Sequence, residues 1–119
     1  HGRPDLKDTI ARLQAYQEAG ADVLFAPGLQ TAEEIRAVCA AVDRPVNVLF
    51  GPWKESATIE DVAAMGVKRI SIGGALAAAA YKALIEAGRE MLDSGTMDWR
   101  KQLNPPGEVA KLISQGGPG

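Results

Sequence analysis

The stretch Glu18-Ala19-Gly20-Ala21-Asp22-Val23-Leu24-Phe25-Ala26-Pro27-Gly28-Leu29 decides the fold. Gly20 can adopt the left-handed conformation that closes a helix. Asp22 to Ala26 is then a short apolar run, and Pro27-Gly28 turns the chain. Such a run suits a strand covered on both faces. Upstream, Asp5 can cap a helix on which Leu6, Ile10 and Leu13 share one face. The unit is helix, glycine stop, buried strand, turn.

The unit recurs downstream. Thr31 and Glu34 are spaced as a capping box, and Ile35, Val38, Cys39 and Val42 line the helix that follows. Asp43-Arg44-Pro45 stops it. Val46 to Phe50 reads as a second buried strand, ended by Gly51-Pro52. Thr58 and Asp61 offer another cap, Val62 and Met65 face the core, and Gly66 terminates that helix. Lys68 to Ile72 is the third strand, with Gly73-Gly74 after it. The longest helix carries Leu76, Ala80, Tyr81, Leu84, Met91 and Leu92 at helical intervals and closes at Gly95. Strands begin at Val23, Val46 and Arg69, a step of about 23 residues.

Helices alternating with apolar strands imply parallel pairing through right-handed crossovers. An open doubly wound sheet and a (β/α)₈ barrel both fit, and the unit length favours the barrel. The expected class is α/β: a partial TIM-type barrel of about three parallel strands alternating with helices, plus a C-terminal helical arm. Residues 1–95 make the barrel part. Residues 96–114 are a packing arm, with a short helix from Glu108 to Ile113. Residues 115–119 are expected to be a disordered tail. Trp99, Leu103, Val109, Leu112 and Ile113 in the arm require an apolar surface on this chain or on a partner.

Composition narrows the function. The 119 residues are 46% hydrophobic, enough for one packed core. A net charge of −2 gives no broad attraction to nucleic acid or an anionic membrane. No apolar run reaches the roughly 20 residues a spanning helix needs. No export leader is visible, and the single cysteine, Cys39, suits a cytoplasmic setting. Cys39 reads as a small core residue. The single histidine, His1, has no scaffold to hold it as a base. No Cys/His cluster has the spacing of a metal site. Glu33, Glu34, Lys54, Glu55, Glu60 and Asp61 read as solvated surface. The pairs Asp5/Asp8 and Glu60/Asp61 are explained by capping and the helix macrodipole.

Several segments in order carry a resemblance. They are Gly2 to Leu6, Thr9 to Tyr16, Glu18 to Leu29, Arg44 to Leu49, and Arg69 to Leu76. Together they resemble the isocitrate lyase / phosphoenolpyruvate mutase superfamily, from residue 2 to about 100. The resemblance implies a Mg²⁺-dependent barrel that cleaves or forms C–C or P–C bonds of small α-oxo or α-hydroxy carboxylates through an enolate. In that family the metal-positioning acids and a mobile loop lie in the N-terminal half of the barrel. The chain is therefore expected to be a C-terminal fragment, with roughly four or five βα units upstream. Metal ligands and catalytic residues are expected to be absent from it. Its expected partners are a small oxo-acid in the intact enzyme and either further copies of itself or a missing N-terminal half.

Three places can still touch substrate, because barrel sites form where strands end. The first is Pro27-Gly28. Many lyases of the family have Glu where Pro27 stands, so isocitrate-type cleavage is disfavoured by this sequence. The second is Asn47, which matches a family Asn that hydrogen-bonds the substrate carboxylate. A polar amide inside Val46-Asn47-Val48-Leu49 must find partners, whether ligand or protein. The third is Gly73-Gly74, where backbone can approach an anion at a helix start. A plain turn is the alternative reading there and at Pro27-Gly28. No GxGxxG or Walker lysine is present.

Overall fold

The computed structural model describes residues 5–50 and 56–116. The segments at His1, at Gly2-Arg3-Pro4, at Gly51-Pro52 with Lys54 and Glu55, and at 117–119 lie outside the described residues. The chain divides into two compact units, His1–Leu76 and Ala77–Gly119.

In the first unit, helices and strands alternate: α1 (Leu6–Glu18), β1 (Leu24–Phe25), α2 (Ala32–Ala41), β2 (Val46–Leu49), α3 (Ile59–Ala64) and β3 (Arg69–Ser71). The helix starts follow the local chemistry. Asp5 accepts from the N–H groups of Lys7 and Asp8 at 2.9 and 3.1 Å. Thr31 and Glu34 complete a capping box, as do Thr58 and Asp61. These bonds satisfy N–H groups that have no partner within the helix. The backbone and side-chain donors of Thr58 also hold the Asp61 carboxyl below its usual value. Gly20 and Gly66 sit at φ +97° and +100°, where a side chain is strained.

The three strands form one parallel sheet in chain order, β1-β2-β3. Leu24 faces Val46, and Phe25, Asn47 and Arg69 lie in register. Each strand is shorter than its apolar run suggests. Pairing sets the limit: the Leu24 N–H reaches back to the Pro45 carbonyl, and Pro45 itself has no N–H to extend the ladder.

Strand residues alternate between faces. Leu24, Val46 and Val48 turn toward the helices and bury with Leu13, Ile35, Val38 and Val62. Phe25, Asn47, Leu49, Arg69 and Ser71 occupy the opposite face. Cys39 packs at the edge of this core, and burial pushes its thiol pKa up against a smaller opposing pull from Lys68. At the amino ends of the strands, Gln17 ties α1 to the α2–β2 turn. Its Oε1 accepts from the Asp43 and Arg44 N–H groups at 2.8 and 3.1 Å, and its Nε2 donates to Asp43 at 3.3 Å. Gln17→Ala should cost about 1 kcal/mol in a denaturant titration, because these bonds are exposed to solvent. An unchanged midpoint would show the staple to be energetically idle.

Helix α4 (Ala75–Ser94) starts at the last two residues of the first unit, and the rest of it makes up the second unit with a 3₁₀ turn, Asp98–Gln102, and α5 (Glu108–Gln115). Glu90 folds this stretch back by accepting from the Thr96 hydroxyl and the Asp98 and Trp99 N–H groups. The apolar positions of α4 stay open, with Leu76, Tyr81, Leu84 and Leu92 all exposed. The sequence reading needs one correction here: Gln115 ends a helix and Gly116 caps it, so order extends past Ile113 into what composition suggested was a disordered tail. Among the described residues, no helix is long and apolar enough to cross a membrane.

Candidate functional site

The sheet brings the expected site residues to one end. Pro27-Gly28 follows β1, and Gly73-Gly74 follows β3, so both turns lie beyond the carboxyl ends of parallel strands. That is where α/β folds place ligands.

Pro27 and Gly28 are exposed and line a cavity of about 710 Å³ beside α1, together with Thr9, Arg12, Tyr16 and Phe25. Arg12 is engaged there by Asp8 at 2.8 Å. Gly73 has φ +53°, and a Cβ on it would come within 3.3 Å of Leu49 Cδ1. The positive φ favours glycine at Gly73, whereas a Cβ there would require only a small shift of the Leu49 side-chain end. A Cβ on Gly74 would meet nothing within 4 Å, so close packing does not explain that residue.

Asn47 lies deeper, in the middle sheet strand, with only 3% of its surface exposed. It is the buried polar residue among the described core. Its Oδ1 accepts from Arg69 Nη1 at 2.9 Å. Its Nδ2 donates to Ser71 Oγ at 3.1 Å, and that hydroxyl donates to the Val48 carbonyl at 3.2 Å. The structure thus joins Asn47 to Ser71, two residues before Gly73. The Pro27-Gly28 turn follows the other edge strand and is not joined to this network.

Arg69 and Ser71 were not among the residues singled out from sequence. Part of their signal was present, since they alternate with Ile70, but the strand repeat aligns Arg69 with Val46, and only the register sets it opposite Asn47. A charged residue at a strand start reads as solvated until register is known.

The comparisons with known proteins agree with this geometry. A family model described as phosphoenolpyruvate phosphomutase matches residues 1–92. An oxaloacetate decarboxylase of Rhodopseudomonas palustris (strain BisA53) is 44% identical over 82 residues, covering 68% of this chain and 28% of the relative. One from Paraburkholderia xenovorans (strain LB400) is 31% identical over 111 residues, covering 91% of this chain and 34% of the relative. The chain thus spans about a third or less of these curated relatives. Among solved structures, a Burkholderia cenocepacia J2315 protein classed as a lyase/mutase superposes with a TM-score of 0.87 at 48% identity, over 96% of this chain and 41% of that one. Oxaloacetate acetylhydrolase in complex with its product oxalate superposes with a TM-score of 0.72 at 26% identity, over 93% of this chain and 42% of that one. The three parallel strands with their helices and helical C-terminal segment are thus part of a TIM-type barrel, and the chain belongs to the phosphoenolpyruvate phosphomutase family.

Proposed function

We propose that this chain is the C-terminal part of a lyase or mutase acting on a small α-oxo carboxylate, with oxaloacetate the leading substrate. One structural observation carries the reading: a buried asparagine amide on the sheet face turned away from the helices, Asn47. The names of the relatives support the substrate, since they are oxaloacetate decarboxylases and an oxaloacetate acetylhydrolase.

Decarboxylation of oxaloacetate breaks the C3–C4 bond and releases CO₂. The electron pair remains as a pyruvate enolate, which then takes a proton at C3. Fixed N–H donors stabilise such developing oxyanions. Asn47 would hold a substrate carboxylate while the charge moves. Neither Asn47 nor the turns at Pro27-Gly28 and Gly73-Gly74 can deliver the C3 proton, so the chain alone is proposed to be catalytically incomplete. The family resemblance implies Mg²⁺. Among the described residues, no three His, Cys, Asp or Glu side chains gather as a metal cluster. The acids that position Mg²⁺ are proposed to lie outside this chain. The reducing setting that suits Cys39 is proposed to be the cytoplasm.

Oxalate resembles the pyruvate enolate and is the first probe. In calorimetry with and without Mg²⁺, the chain should bind oxalate saturably, and Asn47→Ala should weaken it by about tenfold or more, the loss of roughly one charge-assisted hydrogen bond. No oxaloacetate turnover is expected from the chain alone. Equal oxalate affinity in wild type and Asn47→Ala would sink the site, and turnover by the chain alone would sink the proposed incompleteness.

A second reading is supported by exposed apolar surface. Val23 and Phe25 are 48% and 46% exposed. Among the described residues, the outer edges of β1 and β3 pair with no strand. These features fit a non-catalytic half-barrel that pairs with a second copy or with an N-terminal half. A monodisperse monomer in light scattering would count against self-association.

A further inference from the structure

We infer that Arg69 and Ser71 are positioning residues that lock the Asn47 amide in one orientation and leave one Nδ2–H to be presented to an anionic oxygen. The inference rests on the proposed role of Asn47 and deepens it. An asparagine side chain has one acceptor oxygen and two N–H donors, and its two ends differ only in hydrogen bonding. Here two independent contacts set the direction. A guanidinium has donors and no acceptor, so the atom 2.9 Å from Arg69 Nη1 must be oxygen. The Ser71 hydroxyl spends its proton on the Val48 carbonyl at 3.2 Å, so it can only accept from the atom 3.1 Å away. That atom must be nitrogen. The flipped amide would set donor against donor at Arg69 and leave Ser71 without its proton source.

This arrangement uses one of the two Nδ2 hydrogens. Among the described residues, the second has no partner, although Asn47 is 97% buried by its 3% exposure. A buried, unfilled donor is costly, and such groups persist where a ligand or water completes them. Arg69 adds a second cue. Its guanidinium is exposed, donates to the Oδ1 end of the amide, and among the described residues forms no ion pair, so its charge is free to draw an anion toward this face. Both features select an anion, and the planar carboxylate of a small oxo-acid fits the pair. The arrangement also separates roles: Asn47 touches the ligand, while Ser71 and the Nη1 of Arg69 act on it through Asn47.

The test is side-chain amide NMR on the full chain, without ligand and then with oxalate. Without ligand, the two Asn47 Nδ2 protons should exchange with water at clearly different rates, one protected by Ser71 and one not. Arg69→Met and Ser71→Ala should each remove much of that difference. Arg69→Lys and Ser71→Thr, which keep a donor and a hydroxyl, should retain it and also show that loss is not simple unfolding. Adding oxalate should move the unprotected proton most, and Arg69→Met should bind oxalate about tenfold more weakly. Equal exchange of both protons in the wild-type chain, or an unchanged difference in Arg69→Met and Ser71→Ala, would overturn the locking. A locked amide that oxalate leaves unmoved would overturn the ligand role and the proposed function while leaving the locking in place, so the two fail separately.

Discussion

Ile35→Ala should destabilise the chain by about 2–5 kcal/mol, read as the midpoint shift of a urea or thermal transition. Ile35 sits on α2 with 0% of its surface exposed, inside the cluster formed by Leu24, Val38, Val48 and Val62. Removing its outer carbons loses their transfer free energy and leaves a cavity that β2 and the neighbouring helices can only partly fill. A small domain is stable by about 5–15 kcal/mol in total, so this single change consumes a large share. Ile35→Val removes one carbon and should cost only about 0.5–1.5 kcal/mol. Leu92 provides the control. It is 87% exposed, and Leu92→Ala should stay within about 0.5 kcal/mol of wild type. A core built as described requires that ordering. Equal effects at Ile35 and Leu92 would mean that the α2 face is not the centre of packing.

Gly66→Ala should cost on the order of 2–4 kcal/mol, for two reasons that can be separated. Gly66 has φ +100°, and an L side chain in left-handed backbone costs roughly 1–2 kcal/mol. A Cβ there would also lie 3.0 Å from Cys39 Cβ, closer than side-chain carbons normally approach. That forces α2 and the end of α3 apart or strains both. Gly20 supplies the comparison. It has φ +97°, yet a Cβ on it would meet nothing within 4 Å. Gly20→Ala should therefore show the backbone part alone and be the milder variant. If both substitutions cost the same, the Cys39 contact carries no energy.

Much of this fold was legible because its determinants are local. The pairs Thr31/Glu34 and Thr58/Asp61 announce helix starts three residues apart in sequence, and the bonds form as the spacing requires. Core positions such as Ile35, Val38 and Val62 follow from helical periodicity alone. Strand ends were less legible. β1 reduces to Leu24–Phe25 because its partner ladder starts at Val46, after a proline, and no local feature of Asp22 or Val23 records that. The candidate site shows the same division. Asn47 stood out as an amide in an apolar run. Arg69 and Ser71 did not, because their meaning depends on the register that puts Asn47 opposite Arg69. The end of α5 was obscured by composition: glycine and proline after Gly116 masked a helix that runs on through Ser114 and Gln115.

The sheet order β1-β2-β3 has a kinetic side. Every strand pairs with the next one along the chain, so each closure spans only one helix and its turns. The chain entropy of closing such loops grows only slowly with their length, yet parallel pairing across a whole helix forms more slowly than helix contacts do. Among the described strands, no pairing skips over another strand. Among the described residues, the outer edges of β1 and β3 are left without a strand partner once the layer has formed. Open strand edges are where chains adhere to one another, so the hazard of aggregation lasts for as long as those edges stay bare.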